Sequence, residues 1–229
     1  AIHRLWRETK LSCRDFFNSV AQKWDTMCQH DVSKIDKILE LVDLEQEDSV
    51  LDVGTGTGVM IPHLLKRVGL CGHITGIDIA EKMLKIAEAK NTSANVRFIH
   101  GDIMTINLNK ESFNTIMCYS VFPHLNNQRL AISKMCNLVK PSGKVIICHS
   151  QSREKINNLH KKSAIPAISN DYLPSASTVS GYFKEQGMKV LQQIDNTEMF
   201  VVLAQKIVAK AREPYLRVPA TFDPCRGDL

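Results

Sequence analysis

The sequence predicts an α/β fold in which a doubly wound sheet of seven strands, parallel except at its end, lies behind a cap of N-terminal helices. Three observations lead there. From Ser49 onward, short β-branched runs alternate with amphipathic segments, the signature of parallel strands joined by crossover helices. The last two apolar runs are separated only by Asp195-Asn196-Thr197-Glu198, too little chain for a crossover, so that pair forms an antiparallel hairpin. Before residue 46 the texture is helical, with Ile35, Ile38, Leu39 and Val42 spaced i, i+3, i+4, i+7.

In chain order, residues 1–48 form the helical cap and residues 49–208 the α/β domain. The predicted strands are Val50–Val53, His73–Asp78, Val96–His100, Phe113–Cys118, Lys144–His149, Lys189–Ile194 and Met199–Ala204. Between them, helical faces are marked by Met60, Leu64 and Val68, by Met83, Ile86 and Ala87, and by Leu130, Ile132, Met135, Cys136 and Leu138. Residues 209–229 carry Pro214, Pro219 and Pro224 with little periodicity and read as an irregular tail.

Composition excludes several classes of protein. The 229 residues are 44% hydrophobic and 23% charged, an ordinary globular balance. Twenty-nine Lys and Arg against 24 Asp and Glu leave +5, with no block of like charge and no basic stripe interleaved with aromatics, so no nucleic-acid partner is implied. The longest apolar runs, such as Met199 to Ala204, are far below the roughly 20 residues of a membrane span. The first residues lack the apolar core of a secretory signal, and a cytoplasmic chain is expected. Seven cysteines (Cys13, Cys28, Cys71, Cys118, Cys136, Cys148, Cys225) form no C-x-x-C pair, which fits free thiols in a reducing compartment.

The most informative stretch is Asp52-Val53-Gly54-Thr55-Gly56-Thr57-Gly58-Val59. An apolar strand runs into three alternating glycines and then a helix, so backbone can approach a ligand closely. The dinucleotide fingerprint needs glycine where Val59 stands, which weakens a nicotinamide oxidoreductase, and no Gly-Lys-Ser/Thr follows to make a phosphate loop. Asp78 ends the second strand, where a carboxylate can accept from both hydroxyls of a ribose; as a helix N-cap it has a purely structural alternative. Asp102 follows the third strand, placed to accept from an adenine amino group. Three acids and three glycines thus border one crevice at the carboxyl edge of the sheet, and together they point to a nucleoside.

In these residues the chain resembles the class I S-adenosylmethionine-dependent methyltransferases. Val50–Val59 is similar to their glycine loop, His73–Asp78 to the ribose-binding strand, Gly101-Asp102 to the adenine motif, and Phe113–His124 to the fourth motif. Leu138-Val139-Lys140-Pro141-Ser142-Gly143 resembles the turn before strand five, with Ser142 in place of a glycine. The resemblance spans about residues 16–205. It implies a Rossmann-like sheet of order 3-2-1-4-5-7-6, with the last strand antiparallel. It implies S-adenosylmethionine as cofactor and S-adenosylhomocysteine as product. Asp52, Gly54, Thr55, Gly56 and Gly58 would hold the methionine half, Asp78 the ribose, Ile79 and Met83 the adenine face, and Gly101, Asp102 and Ile103 the adenine edge. Cys118 and Tyr119 would pass beneath the sulfonium.

A sulfonium methyl is already electrophilic, so the protein must place an acceptor in line, exclude water and remove a proton where the acceptor needs it. Tyr119, Phe122, Phe16, Phe17 and Trp24 are candidates to face the positive sulfur, at about 0.5–2 kcal/mol each, with core packing the stronger alternative for Phe16 and Phe17. His124 and His149 follow strands four and five and, with Tyr119, are the catalytic candidates. Arg153, Ile156, Leu159 and His160 can share one helical face, and Trp24, Phe122, Arg153 and His160 are expected to bind the acceptor. No metal is assigned, because nothing in the spacing forces His124, His149 and His160 into a three-nitrogen ligand set. Cys28 and His30 form a further pair near the cap.

The absence of an Asn/Asp-Pro-Pro-aromatic motif at Cys118-Tyr119-Ser120-Val121 disfavours a base-methylating nucleic-acid enzyme. A small-molecule acceptor is expected, and the chain acts as monomer or homodimer. A protein methyltransferase and a non-catalytic binding or regulatory subunit remain as alternatives. The segment 150–187 is expected to form the lid that selects the acceptor.

Overall fold

A computed structural model describes residues 12–208. The predicted tail and Cys225, and residues 1–11 of the predicted cap, lie outside the described residues.

Seven strands form one sheet of order β3-β2-β1-β4-β5-β7-β6. They are β1 (Ser49–Val53), β2 (His73–Asp78), β3 (Val96–His100), β4 (Phe113–Tyr119), β5 (Val139–His149), β6 (Met188–Asp195) and β7 (Phe200–Lys206). All neighbours from β3 to β5 run parallel, whereas β7 is antiparallel to both β5 and β6. The hairpin expected from the four-residue connection is therefore present, with β7 inserted between β5 and β6. β5 begins at Val139 rather than Lys144, because Val139 pairs with Phe113 before a register shift lets Lys144 pair with Thr115.

Period-two alternation assigns each strand residue to one of two cores. On β5, Val145 and Ile147 enter one cluster and Ile146 and Cys148 the other. The first cluster is covered by α6 (Gln128–Leu138) and α8 (Ala176–Glu185), through Ala131, Ile132, Met135, Val179 and Phe183. The second is covered by α3 (Val32–Val42) and α4 (Ile61–Val68), through Ile35, Ile38, Leu39, Val42, Ile61, Leu64 and Val68. The helical faces read from the sequence are largely the ones buried, but Ile86 is half-buried and Leu130 and Leu159 are exposed.

The cap comprises α1 (Cys13–Val20), the short helix α2 (Trp24–Met27) and α3. Ser12 and Asp15 close a capping box that starts α1, and the Asp31 side chain caps α3 by accepting from Lys34 N–H. The cap is docked on α5 (Glu81–Lys90) by polar contacts. Arg14 donates twice to Glu81 at 3.0 and 3.1 Å, Asn18 donates to the same carboxylate at 2.8 Å, and Lys82 N–H donates to Asn18. These donors hold the Glu81 carboxyl down at about 2, led by the Asn18 amide. Asp25 accepts from Thr57 of the glycine loop and from Lys90, fastening α2 to both. Beneath these contacts Ala21 packs with Ala80 and Met83.

Candidate functional site

The carboxyl ends of β1, β2, β4 and β5 open into a cavity of about 1010 Å³, roofed by the cap and by α7 (Arg153–Lys162) with the segment that follows it. A cleft at this edge is where open α/β sheets bind ligands. Its floor is the loop after β1. Gly54, Gly56 and Gly58 all have positive φ (68°, 55° and 81°), the region that glycine alone enters without strain. Gly54 N–H and Thr55 N–H donate to the Ile77 carbonyl, stitching the loop to β2. The glycines differ in what surrounds them. A Cβ at Gly54 would come within 2.4 Å of Val121 and one at Gly58 within 2.7 Å of Asn91, whereas one at Gly56 would meet nothing within 4 Å. Gly56 is thus the glycine whose bare face adjoins open cavity, while Gly58 serves the packing of the loop on α5.

Asp78 does not cap α5, whose N-cap is Ala80 without a side-chain bond. Its Oδ2 accepts from Gly56 N–H at 2.9 Å and its Oδ1 from Ala80 N–H at 2.8 Å. Burial raises its pKa, and these N–H groups offset part of that rise. Asp102 lines the same end; its Oδ1 accepts from Met104 N–H at 2.9 Å, and Oδ2 has no partner among the described residues. Ile79, Met83, Gly101 and Ile103 complete this wall. Asp52 lies one layer behind, 1% exposed within β1. Burial pushes its carboxyl up to about 7, although the Thr55 hydroxyl close by opposes the rise, and Asp52 Oδ2 and Thr55 Oγ1 are both buried without hydrogen-bond partners.

The other half of the cavity is imidazole and aromatic. His124, in a 3-10 turn after β4, lies with its ring centroid 5.0 Å from that of His160 on α7 and 5.1 Å from Phe17 on α1. His124 Nδ1 is 2.5 Å from Asp171 Oδ2, and His160 Nδ1 is 3.1 Å from the Asp171 carbonyl oxygen. His149 ends β5, and its Nε2 is buried without a partner. Burial pushes His149 down to about 3, with the charges of His124 and His160 adding to the effect, so its ring is neutral. Burial likewise lowers His160. Tyr119 Oη bridges His30 Nδ1 and Ser150 Oγ, and burial raises it to about 12. Trp24, Phe16, Met27 and Ile168 add apolar wall.

The structure thus gathers most of the sequence candidates around one space: Gly54, Thr55, Gly56, Asp78, Ile79, Met83, Gly101, Asp102, Ile103, Trp24, Tyr119, His124, His149 and His160 all line it. Others fall elsewhere. Phe122, the first residue of the 3-10 turn, is fully buried in the core beside β4 and does not line this cavity. Arg153 starts the helix face of Ile156 and His160, but its side chain points away to Asp195, donating from Nε at 2.8 and 3.1 Å, and does not line the cavity. Cys118 is sealed within β4. Phe16 and Phe17, the aromatic candidates for which core packing is the stronger alternative by sequence, both line the cavity, Phe16 as a buried residue. No group of three His, Cys, Asp or Glu side chains among the described residues is arranged to hold a metal ion. Asp171 was not found by sequence reasoning: it stands in Ser169-Asn170-Asp171-Tyr172, a stretch without periodicity or motif, 47 residues from the ring it touches. No helix among the described residues is long and apolar enough to cross a membrane.

Comparison with known proteins gives this geometry a family. A family model described as a methyltransferase domain matches residues 44–205, leaving the cap helices outside it. An uncharacterized methyltransferase of Mycobacterium bovis is 32% identical over 98 residues, 43% of this chain and 48% of that protein. Demethylmenaquinone methyltransferase of Staphylococcus aureus is 29% identical over 137 residues, 57% of this chain and 56% of that protein. The chain therefore spans about half the length of the curated relatives it matches. The crystal structure of a SAM-dependent methyltransferase from Aquifex aeolicus superposes with a TM-score of 0.65 at 24% identity, covering 83% of this chain and 98% of that one. From the matched domain, the sheet order and the glycine loop together, the chain belongs to the class I S-adenosylmethionine-dependent methyltransferases.

Proposed function

We propose that the chain transfers a methyl group from S-adenosylmethionine to a small-molecule acceptor by direct in-line displacement. The observation that carries this reading is the division of one cavity into a glycine-and-carboxylate half and an imidazole-and-aromatic half. When bound, the cofactor supplies a methyl group already activated on a sulfonium.

The residues present fit that group. Asp78 and Asp102 retain lone pairs for a ribose and an adenine amino group, and Ile79 and Met83 offer an apolar face between them. The bare face of Gly56 admits close approach, and the unpartnered oxygens of Asp52 and Thr55 supply buried acceptors behind the loop for the amino-acid end. Trp24, Phe17 and Tyr119 keep water from the reacting centre and present ring faces to positive charge. An apolar acceptor suits the wall of Phe16, Trp24, Met27 and Ile168, and the staphylococcal relative, named for a menaquinone precursor, is in keeping with such a molecule. His124 and His149 stand at the acceptor side as the groups able to take a proton.

Calorimetric titration with S-adenosylhomocysteine tests the cofactor half. Binding that Asp78→Ala weakens by roughly 10- to 100-fold is expected, equivalent to about 1.4–2.7 kcal/mol. Failure to bind either S-adenosylmethionine or its product would refute the reading. Turnover of methyl-labelled S-adenosylmethionine with apolar phenols, thiols and amines tests transfer; tight cofactor binding without turnover on any acceptor would favour a regulatory subunit.

A further inference from the structure

We propose that Asp171 is a positioning residue that fixes His124 and His160 in one proton tautomer, turning two imidazole lone pairs toward an acceptor that presents an acidic O–H, S–H or N–H on an apolar body. The inference deepens the methyl-transfer reading and rests on it for the identity of the donor.

Asp171 holds both rings, by different atoms. Its Oδ2 meets His124 Nδ1 and its main-chain oxygen meets His160 Nδ1. A carboxylate and a carbonyl offer only lone pairs, so each Nδ1 carries the hydrogen, and in the neutral form of either ring Nε2 is the atom left as an acceptor. Both rings line the cavity, Asp171 does not, and neither ring's Nε2 is among the sealed atoms, so the edge opposite Nδ1 is open to a ligand. Neither Nε2 has a partner among the described residues, and the buried His149 Nε2 in the same wall also has none. Of these three ring nitrogens only His149 Nε2 is sealed from solvent, a costly state unless a ligand meets it, while those of His124 and His160 stay reachable from the cavity.

The position of Asp171 is itself fixed from outside the site. Asn157 on α7 donates to the Leu173 carbonyl at 3.0 Å and accepts from Leu173 N–H at 2.8 Å, pinning the chain just after Asp171. Gln128 adds a bond to the Tyr172 carbonyl at 2.9 Å. A ligand without a donor would leave the two lone pairs buried and unpaired, the condition under which polar sites discriminate most strongly. For a ligand with one, the heteroatom–hydrogen bond breaks, its electron pair stays on the heteroatom, and the proton passes to His124 Nε2. The resulting imidazolium then bears its charge against the Asp171 carboxylate.

The test begins with the ring nitrogens. In long-range proton–nitrogen spectra of the full chain labelled with 15N-histidine, His124 and His160 are expected as the Nδ1–H tautomer. Asp171→Ala should release His124 to the Nε2–H form while His160, held by main chain, keeps its own; Asp171→Asn, whose amide oxygen can accept the same bond, should restore His124. A wild-type His124 protonated on Nε2, or one that Asp171→Ala leaves unmoved, would overturn the positioning role. For the acceptor class, 1-naphthol and 1-methoxynaphthalene are titrated in the presence of S-adenosylhomocysteine. Naphthol is expected to bind roughly tenfold or more tightly than its ether, and equal affinity or binding of neither would overturn the class. Binding of S-adenosylhomocysteine itself is measured on the same samples, so loss of the cofactor reading is seen separately from the tautomer result.

Discussion

Tyr119 Oη stands 2.9 Å from His30 Nδ1, so that the tip of β4 is tied to the loop entering α3. The same hydroxyl lies 2.8 Å from Ser150 Oγ after β5, which makes one buried oxygen the meeting point of sheet and cap. Tyr119→Phe removes it and leaves His30 and Ser150 unpaired. A loss of about 1–2 kcal/mol is expected, read as a fall of several degrees in Tm. An unchanged midpoint would show that the bridge contributes nothing.

Gly54 and Gly56 should separate folding from binding. Alanine at Gly54 must displace Val121 and hold a positive φ, so Gly54→Ala is expected to lower stability by about 2 kcal/mol or more. Gly56→Ala meets no protein atom, costs on the order of 1 kcal/mol through its φ of 55°, and puts a methyl group beside the ligand space. Chemical denaturation and S-adenosylhomocysteine titration of both variants check this: the first should fail mainly in denaturation, the second mainly in titration.

Asp52 links stability to pH. Its carboxyl is raised from 3.8 to about 7 by burial, so folding favours the protonated form. That contribution is complete below pH 3.8 and is lost as pH rises through about 7. Asp52→Asn does not titrate, so between pH 4 and 8 the difference in unfolding free energy should move in its favour by on the order of 4 kcal/mol. Denaturant titrations at both values measure it; a difference that stays constant would mean the carboxyl is ionised throughout.

Ser142 stands at φ 62° in the turn within β5, where the family pattern has glycine. Its carbonyl still accepts from Gln205, a bond that does not depend on the side chain. Ser142→Gly should therefore raise stability by up to about 1 kcal/mol through relief of the left-handed conformation. Thermal unfolding would detect it, and a destabilised variant would refute the strain.

Much of this architecture is legible in the sequence because it depends on short-range patterns. The alternation in β5 and the four-residue link before Met199 fix sheet face and strand direction without reference to distant residues. The glycine loop, Asp78 and Asp102 were legible for the same reason, each being adjacent to the strand that positions it. What escaped was set by tertiary contact. Arg153 shares a helical face with His160 by spacing, yet Asp195, 42 residues on, draws it away. Phe17 carries the same local signature as a core residue, and only the docking of α1 through Arg14, Asn18 and Glu81 brings it to His124. Asp171 had no local signal at all, since its partners are histidines placed by β4 and α7.

The connection between β6 and β7 bears on where this chain tolerates changes in length. Asp195 receives Arg153, Glu198 pairs with Lys34 at 2.7 Å, and Phe200 packs edge-on to His149 with ring centroids 6.1 Å apart. One inserted or deleted residue there would slide β7 by a register step, exchange its inward and outward faces, and be felt at a cavity histidine. The turn at Ser142, at the far end of the same strands, carries no such tie to the cavity, and engineered insertions belong there.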